Sequence, residues 1–144
     1  MSAEKFFTDH QKEVIRKAIE LAEEKTSGEI RVHIEQKCKG DVLKFAEKVF
    51  GKLKMQETKE RNGVLFFLAI DSRVFAIYGD QGIHDKVENG FWNVISEQME
   101  KSFQKGNFTE GLAEGITMAG SQLAKYFPHQ KNDKNELSNE ISFK

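Results

Sequence analysis

The side chains best suited to chemistry in this sequence are carboxylates that gather near the ends of three predicted strands. One group comprises Glu29, Glu60, Asp80, Asp85 and Glu88. A second group comprises Glu35, Asp41 and Asp71. Hard cations such as Ca²⁺ take about six to eight oxygen ligands, which carboxylates and backbone carbonyls supply. Either group raises the hypothesis of a divalent-cation site, although acids at such positions also serve as solvated surface residues or helix caps.

No short motif specifies a reaction. Asp80 does not open an EF-hand loop, because Phe91 stands at the twelfth position, where that loop needs Glu. Residues 79–82 (GDQG) are glycine-rich but lack the Gly-Lys-Ser/Thr ending of a phosphate-binding loop. The histidines show no metal-ligand spacing. The residues alone therefore offer a candidate ion site and indicate no reaction.

Two strands joined by a turn are predicted at the centre of the sequence. Residues 64–70 are apolar without interruption, which is typical of a strand covered on both faces. Residues 71–73 (DSR) favour a turn, and residues 74–78 predict a strand that returns beside the first. A further strand is predicted over residues 29–35, where alternation should bury Ile30, Val32 and Ile34 and leave the other face in solvent.

The directions of these strands decide which acids meet. A helix that begins after Asp41 separates residues 29–35 from residues 64–70, so we expect these two strands to run parallel and the third to run back. One end of the sheet carries the start of the first strand and the loops 54–62 and 79–90. We call it the loop end, and it gathers the first group of acids. We call the opposite end of the sheet the turn end, and it gathers the second group of acids. The loop end has more carboxylates, whereas the turn end has the carboxyl ends of the parallel strands, where open α/β sheets bind ligands.

Helical patterns precede, separate and follow the strands. Thr8 and Gln11 have the spacing of a capping box. The stripe expected to face the core from this first helix is Val14, Ala18, Leu21 and Ala22. Later helices are predicted from Phe91 and from Asn107, the second of them with Glu110 completing a capping box and with Pro128 as its stop. The fold class is therefore α/β, a three-layer α/β/α sandwich with a small mixed central β-sheet.

Length and composition bound the remaining features. With 144 residues, a single domain over residues 1–128 is expected, followed by a polar, mobile tail over residues 129–144 in which Ile141 and Phe143 leave room for a short edge strand. The net charge of −1 gives no reason to expect nucleic-acid binding. The single cysteine, Cys38, excludes an internal disulfide, and the first residues contain no long apolar segment. We expect a soluble, cytoplasmic protein with neither a signal peptide nor a membrane anchor.

Several segments together resemble the TPM domain family. These segments are residues 26–32 (TSGEIRV), 61–66 (RNGVLF), 71–74 (DSRV), the glycine loop that follows, and 103–112 (FQKGNFTEGL). The resemblance covers about residues 8 to 128 and implies an α/β/α sandwich. It also implies binding of divalent cations, Ca²⁺ or Mg²⁺, and for plant relatives an acid phosphatase activity. The family's common glycine-tyrosine-glycine-leucine-glutamate stretch is replaced here by residues 79–84 (GDQGIH), in which Asp80 would be the oxygen ligand.

Three functions remain open from the sequence. The first is a metal-responsive regulatory or binding module, with Asp80 as the principal ligand and Asp85, Glu88, Glu60 and Glu29 as further candidates. The second is a metal-dependent phosphatase acting on phosphomonoesters, with Arg61 as the positive partner of the phosphate. The third is a protein-interaction domain without an ion, which would use the hairpin edge or the polar tail to bind a protein partner.

Overall fold

A mixed four-stranded sheet lies at the centre of the fold. The computed structural model describes residues 2–130 and 137–144. After a short 3-10 turn, Ala3–Lys5, the elements are α1 (Asp9–Glu23), β1 (Glu29–Glu35), α2 (Val42–Lys52), β2 (Gly63–Ala69), β3 (Val74–Gly79), α3 (Gln81–His84), α4 (Asn93–Gln104), α5 (Phe108–Leu123) and β4 (Ser142–Phe143). The strand order is β3-β2-β1-β4, with β1 parallel to β2 and β4, and β3 antiparallel to β2. The predicted α/β/α sandwich is confirmed.

Each face of the sheet carries its own core. On one face, Ile30, Val32 and Ile34 of β1 and alternate residues of β2 pack with the apolar sides of α1, α4 and α5. On the other face, Leu65 and Phe67 of β2 pack with α2. Every residue of β2 is buried, as expected for a strand covered on both sides.

The first helix starts as predicted but turns a different face inward. The Thr8 side chain accepts a hydrogen bond from the Gln11 backbone, and the Gln11 side chain accepts one from the Thr8 backbone, so the capping box is complete. The predicted stripe is partly wrong, because Val14 is 36% exposed and Leu21 is 50% exposed. The buried residues are Ile15, Ala18, Ile19 and Ala22. The two isoleucines bury more apolar surface than the predicted stripe would, which sets the rotation of the helix.

The strand β1 is buried on both faces, so the prediction of one solvent-exposed face is wrong. Glu29, His33 and Glu35 lie on the supposed outer face and are at most 8% exposed. The His33 ring stacks on Phe67, with 5.9 Å between ring centroids, and Phe67 in turn packs against Phe45 of α2. These polar side chains tolerate burial because hydrogen bonds satisfy them.

The segment after β3 differs from the prediction in its details. The short helix α3 was not predicted, and α4 begins at Asn93 rather than Phe91, since Gly90 takes a left-handed turn with φ of +81°. Asn107 occupies the N-cap position of α5 but makes no side-chain capping bond, so the predicted capping box is wrong. The helix ends at Leu123, before Pro128, although Phe127 remains buried.

Residues beyond the predicted domain boundary contribute to the packing. Leu137 is buried in the core beside α2, and β4 forms the short edge strand at Ser142–Phe143. Part of the predicted mobile tail, residues 131–136, lies outside the described residues, and the boundary at residue 128 stays a prediction. Among the described helices, none combines the length and the apolar character needed to cross a membrane.

Candidate functional site

At the loop end, Asp80 and Arg61 form a two-point ion pair. Asp80 follows β3 and is the N-cap residue of α3, and it is only 4% exposed. Its Oδ2 atom accepts a hydrogen bond from Arg61 Nε at 2.7 Å, and its Oδ1 atom accepts one from Arg61 Nη2 at 2.9 Å. Oδ1 also accepts the Gln81 backbone N–H at 2.7 Å. This hydrogen bonding to Asp80 raises the pKa of the Arg61 guanidinium, whose side chain is 48% exposed.

The two loops at this end lie in direct contact, as the sequence predicted. The Gly82 N–H donates to the Arg61 carbonyl oxygen at 2.8 Å. A Cβ atom on Gly82 would stand 2.1 Å from the Glu60 carbonyl oxygen, so only glycine allows this approach. Arg61 itself has a left-handed backbone, with φ of +51°. The loop that precedes β2 is therefore held against the first turn of α3 by main-chain atoms.

A chain of polar side chains runs beside this contact. Asn62 Nδ2 donates to Ser27 Oγ at 3.2 Å, and Ser27 Oγ donates to Glu60 Oε2 at 2.9 Å. The Asn62 backbone N–H is bound by Thr58 Oγ1 at 3.2 Å. Asn62 is 1% exposed, and its Oδ1 atom has no hydrogen-bond partner among residues 2–130 and 137–144. A buried carbonyl oxygen without a partner is unusual in a folded protein and calls for a donor, a water molecule or a cation.

Two carboxylates lie at the start of β1. Glu29 is 3% exposed, and its Oε1 atom accepts the Leu137 N–H at 2.9 Å. Glu23, the last residue of α1, accepts the Ile30 N–H at 2.9 Å. Burial raises the pKa of Glu23 to about 8, and the nearby charge of Glu29 adds to the effect. Glu23 was not among the predicted site residues, although the short connection from the end of the predicted helix to Glu29 was a signal that could have found it.

The chain is similar over most of its length to a known protein family and to two solved structures. The sequence model of the TPM domain matches residues 1–122. The chain belongs to the TPM domain family. This TPM domain is 47% identical to the BA42 protein from the psychrophilic bacterium Bizionia argentinensis sp. nov., whose solution structure superposes with a TM-score of 0.92 over 98% of this chain and 97% of that chain. The N-terminal domain of a protein from P. gingivalis shares the fold, with a TM-score of 0.68, 21% identity and coverage of 89% of this chain and 84% of that chain. No curated protein matches the sequence.

The predicted acids of the loop end do not converge on one point in this TPM domain. Asp85 and Glu88 are exposed, and their side chains form no hydrogen bond or ion pair in the described part of the chain. Glu60 bonds Ser27, Glu29 bonds the backbone of Leu137, and Asp80 bonds Arg61. Over residues 2–130 and 137–144 there is no group of three or more His, Cys, Asp or Glu side chains arranged to hold a metal.

The acids of the turn end have structural roles. Asp41 Oδ1 accepts the Leu43 N–H at 2.9 Å and caps α2. Asp71 Oδ2 accepts a hydrogen bond from Gln36 Nε2 at 2.7 Å in the β2–β3 turn. Glu35 Oε1 lies 2.8 Å from His33 Nε2. Each of these three carboxylates therefore has a hydrogen-bonding partner that explains its position.

The His33 side chain, which contacts Glu35, also links β1 to β4. Its Nδ1 atom lies 2.7 Å from Ser142 Oγ on β4, opposite the contact with Glu35. Burial lowers the pKa of His33, although the hydrogen bond with Glu35 acts in the other direction. The neutral ring therefore serves as a link between two strands of the sheet.

Proposed function

We propose that this TPM domain is a divalent-cation-binding module whose loop end responds to Ca²⁺ or Mg²⁺. The observation that supports the proposal is the Asn62 Oδ1 atom, a buried carbonyl oxygen without a partner in the described structure. It lies in the same hydrogen-bonded chain as the Glu60 carboxylate. Amide and carboxylate oxygens are the ligands that hard cations prefer.

The residues that would hold the ion are Asp80, Glu60 and Asn62, with Glu29, Asp85 and Glu88 as further candidates. When bound, the ion would supply positive charge that joins the carboxylates of the two loops. In its absence, Arg61 supplies that charge to Asp80 from a side chain that is half exposed. The guanidinium already reaches water, but the Asp80 side chain is 5% exposed, so Arg61 can leave it only when the ion takes over the neutralisation of this buried carboxylate. Arg61 is therefore a competitor of the ion for the same carboxylate.

Titration of metal-stripped protein with Ca²⁺ or Mg²⁺, followed by amide NMR shifts, tests this proposal. We expect saturable shifts in residues 54–62 and 79–90. Asp80→Asn should abolish them, since the amide keeps the helix cap but loses the charge. Arg61→Gln should strengthen binding about fivefold, because a competing and repelling charge is removed. Asp71→Asn, which removes one carboxylate at the turn end, serves as the matched control and should leave the affinity unchanged.

Other outcomes of the titration have definite meanings. Shifts clustered at Glu35, Asp41 and Asp71 would move the ion to the turn end. The absence of any saturable shift would overturn the proposal. An Arg61→Gln variant that bound the ion more weakly would show that the guanidinium supports the site rather than competing for it.

The alternative of a metal-dependent acid phosphatase has no comparable support. Arg61, the residue expected to bind the phosphate, already donates hydrogen bonds from Nε and Nη2 to Asp80. Turnover of a generic phosphomonoester by the wild type, abolished by Asp80→Ala, would revive it. The third alternative, a protein-interaction domain, is favoured by one observation: β3 lies at an edge of the sheet, where no strand of residues 2–130 and 137–144 pairs with its outer side. Concentration-dependent sedimentation tests whether that edge pairs with a second copy.

A further inference from the structure

An apolar pocket opens at the turn end, away from the loop-end site. Its volume is about 650 Å³, within the range of about 300 to 1,000 Å³ that small-molecule sites occupy. The residues at the carboxyl end of β2 form its floor, which is where open α/β sheets bind ligands. Residues of α4, of the turn between α4 and α5, of the start of α5 and of the N-terminal segment also line it.

The walls of the pocket are aromatic. Phe6, Phe75, Phe103 and Phe108 all line it, and each keeps part of its ring surface exposed. Phe75 and Phe103 meet edge to face, with centroids 5.1 Å apart and an angle of 85° between the ring planes. Phe103 and Phe108 are stacked at 5.3 Å. These rings offer faces and edges to a flat apolar guest, and the guest would remove apolar surface from water.

Two charged side chains line the pocket, and they have opposite signs. Arg73 projects from the β2–β3 turn and Glu100 from α4. Neither side chain forms an ion pair or hydrogen bond with another described residue. A guanidinium without a partner at the mouth of an apolar pocket is suited to a carboxylate, which it can bind through two parallel hydrogen bonds.

The turn that carries Arg73 is held in place. Asp71 N–H donates to the Gln36 carbonyl at 3.0 Å, and the Cys38 N–H donates to Ser72 Oγ at 2.8 Å. The Ser72 hydroxyl donates in return to the Cys38 carbonyl at 3.1 Å. Arg73 has a left-handed backbone, with φ of +54°, so its main chain is in a conformation that this anchored turn must enforce. The base of the guanidinium side chain is therefore fixed before any ligand arrives.

We propose that this pocket binds a small aromatic monocarboxylate, with its ring packed against the exposed surface of the phenylalanine cluster and its carboxylate on Arg73. The guanidinium favours a carboxylate, because its planar group can hold one through two parallel hydrogen bonds, whereas Glu100 offers an ammonium group no such matched pair. Glu100 repels any anion, but a phosphate dianion meets about twice the repulsion that a carboxylate meets, while both find a single guanidinium. An ammonium ligand would prefer Glu100 but would be repelled by Arg73. This proposal is independent of the cation site, because it involves none of the loop-end residues.

Titrations with 2-naphthoate, followed by amide NMR shifts of the full chain, test the pocket. The neutral 2-naphthamide and the cationic 2-naphthylmethylammonium are the matched probes. We expect naphthoate to give saturable shifts in residues 68–75 and 100–108 and to bind at least about tenfold more tightly than either matched probe, because only it forms a charge-assisted hydrogen bond with Arg73. Raising the salt concentration should weaken naphthoate binding and leave the amide unaffected.

Two substitutions with opposite expected effects identify the charge that binds. Arg73→Gln should weaken naphthoate about tenfold, and Glu100→Gln should strengthen it about threefold, since it removes a nearby negative charge. Lys101→Gln removes a positive charge from the same helix at a residue that does not line the pocket, and it should have no effect. Naphthamide binding as tightly as naphthoate, equal effects of Arg73→Gln and Lys101→Gln, or no saturable shift would each overturn the proposal. The Glu100→Gln result decides the question even if Arg73→Gln does not fold.

Discussion

Replacing Glu23 by Gln should stabilise the protein at neutral and alkaline pH and leave it unchanged in acid. The native carboxyl has a pKa of about 8, raised by burial and by Glu29. In the unfolded chain an ordinary glutamate loses its proton near pH 4.3. Between these two values the folded state must keep a proton that the unfolded state has released, so folding becomes less favourable as the pH rises. Below that window both states are neutral at this position.

The magnitude follows from the same two values. A separation from about 4.3 to about 8 corresponds to about 5 kcal/mol at the alkaline limit. Glu23 is only partly buried, and solvent screens part of this cost. We therefore expect Glu23→Gln to raise the free energy of unfolding by about 2 kcal/mol at pH 8. The glutamine carbonyl can still accept the Ile30 N–H, and its amide group faces Glu29 without repulsion.

Urea unfolding followed by circular dichroism at pH 4 and pH 8 measures the effect. Glu24→Gln is the matched control, since it removes the same charge from the adjacent, exposed position and gives the same relief at the negative end of the helix dipole. The quantity to compare is the difference between the two variants at each pH. The assignment would be wrong if Glu23→Gln raised the free energy of unfolding no more than Glu24→Gln at pH 8. It would also be wrong if Glu23→Gln raised it equally at pH 4 and pH 8.

Two further predictions concern packing and pH. Gly82→Ala would place a Cβ 2.1 Å from the Glu60 carbonyl oxygen and should lower the free energy of unfolding by about 3 kcal/mol. Gly51→Ala, with open space around the new methyl group, should instead raise it by about 0.5 kcal/mol, and thermal melts of the two variants should move in opposite directions. Because burial lowers the pKa of His33, the unfolded chain takes up this proton first as the pH falls below about 6.5, and stability should decline there. The pH profile of His33→Gln, measured by urea unfolding, should be flatter below that point; a profile as steep as that of the wild type would contradict the assignment.

The order and type of the main strands could be predicted because they rest on local patterns. The uninterrupted apolar run of β2 and the turn residues after it specify a buried strand and a hairpin, and the structure has both. The parallel pairing of β1 with β2 followed from the helix between them. The face of α1 did not follow, because several rotations of one helix bury apolar residues, and packing against α5 selects among them.

The contacts of the candidate site depended on tertiary structure. Asp80 was predicted as the principal residue, but its pairing with Arg61, 19 residues away in the chain, requires the approach of two loops that only Gly82 permits. The unpartnered Asn62 oxygen and the high pKa of Glu23 arise from burial, which the sequence does not display at single positions. The aromatic pocket combines residues from the N-terminal segment, the hairpin and two helices, and no local pattern unites them.

The burial of β2 on both faces has a consequence for communication between the two ends of the sheet. Its 7 residues separate the loop end from the turn end by about 23 Å. Sliding this strand by one residue would exchange the side chains of two filled cores, so the sheet has no low-energy second register through which one end could signal to the other. Occupancy at the two ends should therefore be thermodynamically additive: an ion and a carboxylate bound together should raise the melting temperature by the sum of their separate effects, with a coupling free energy near zero.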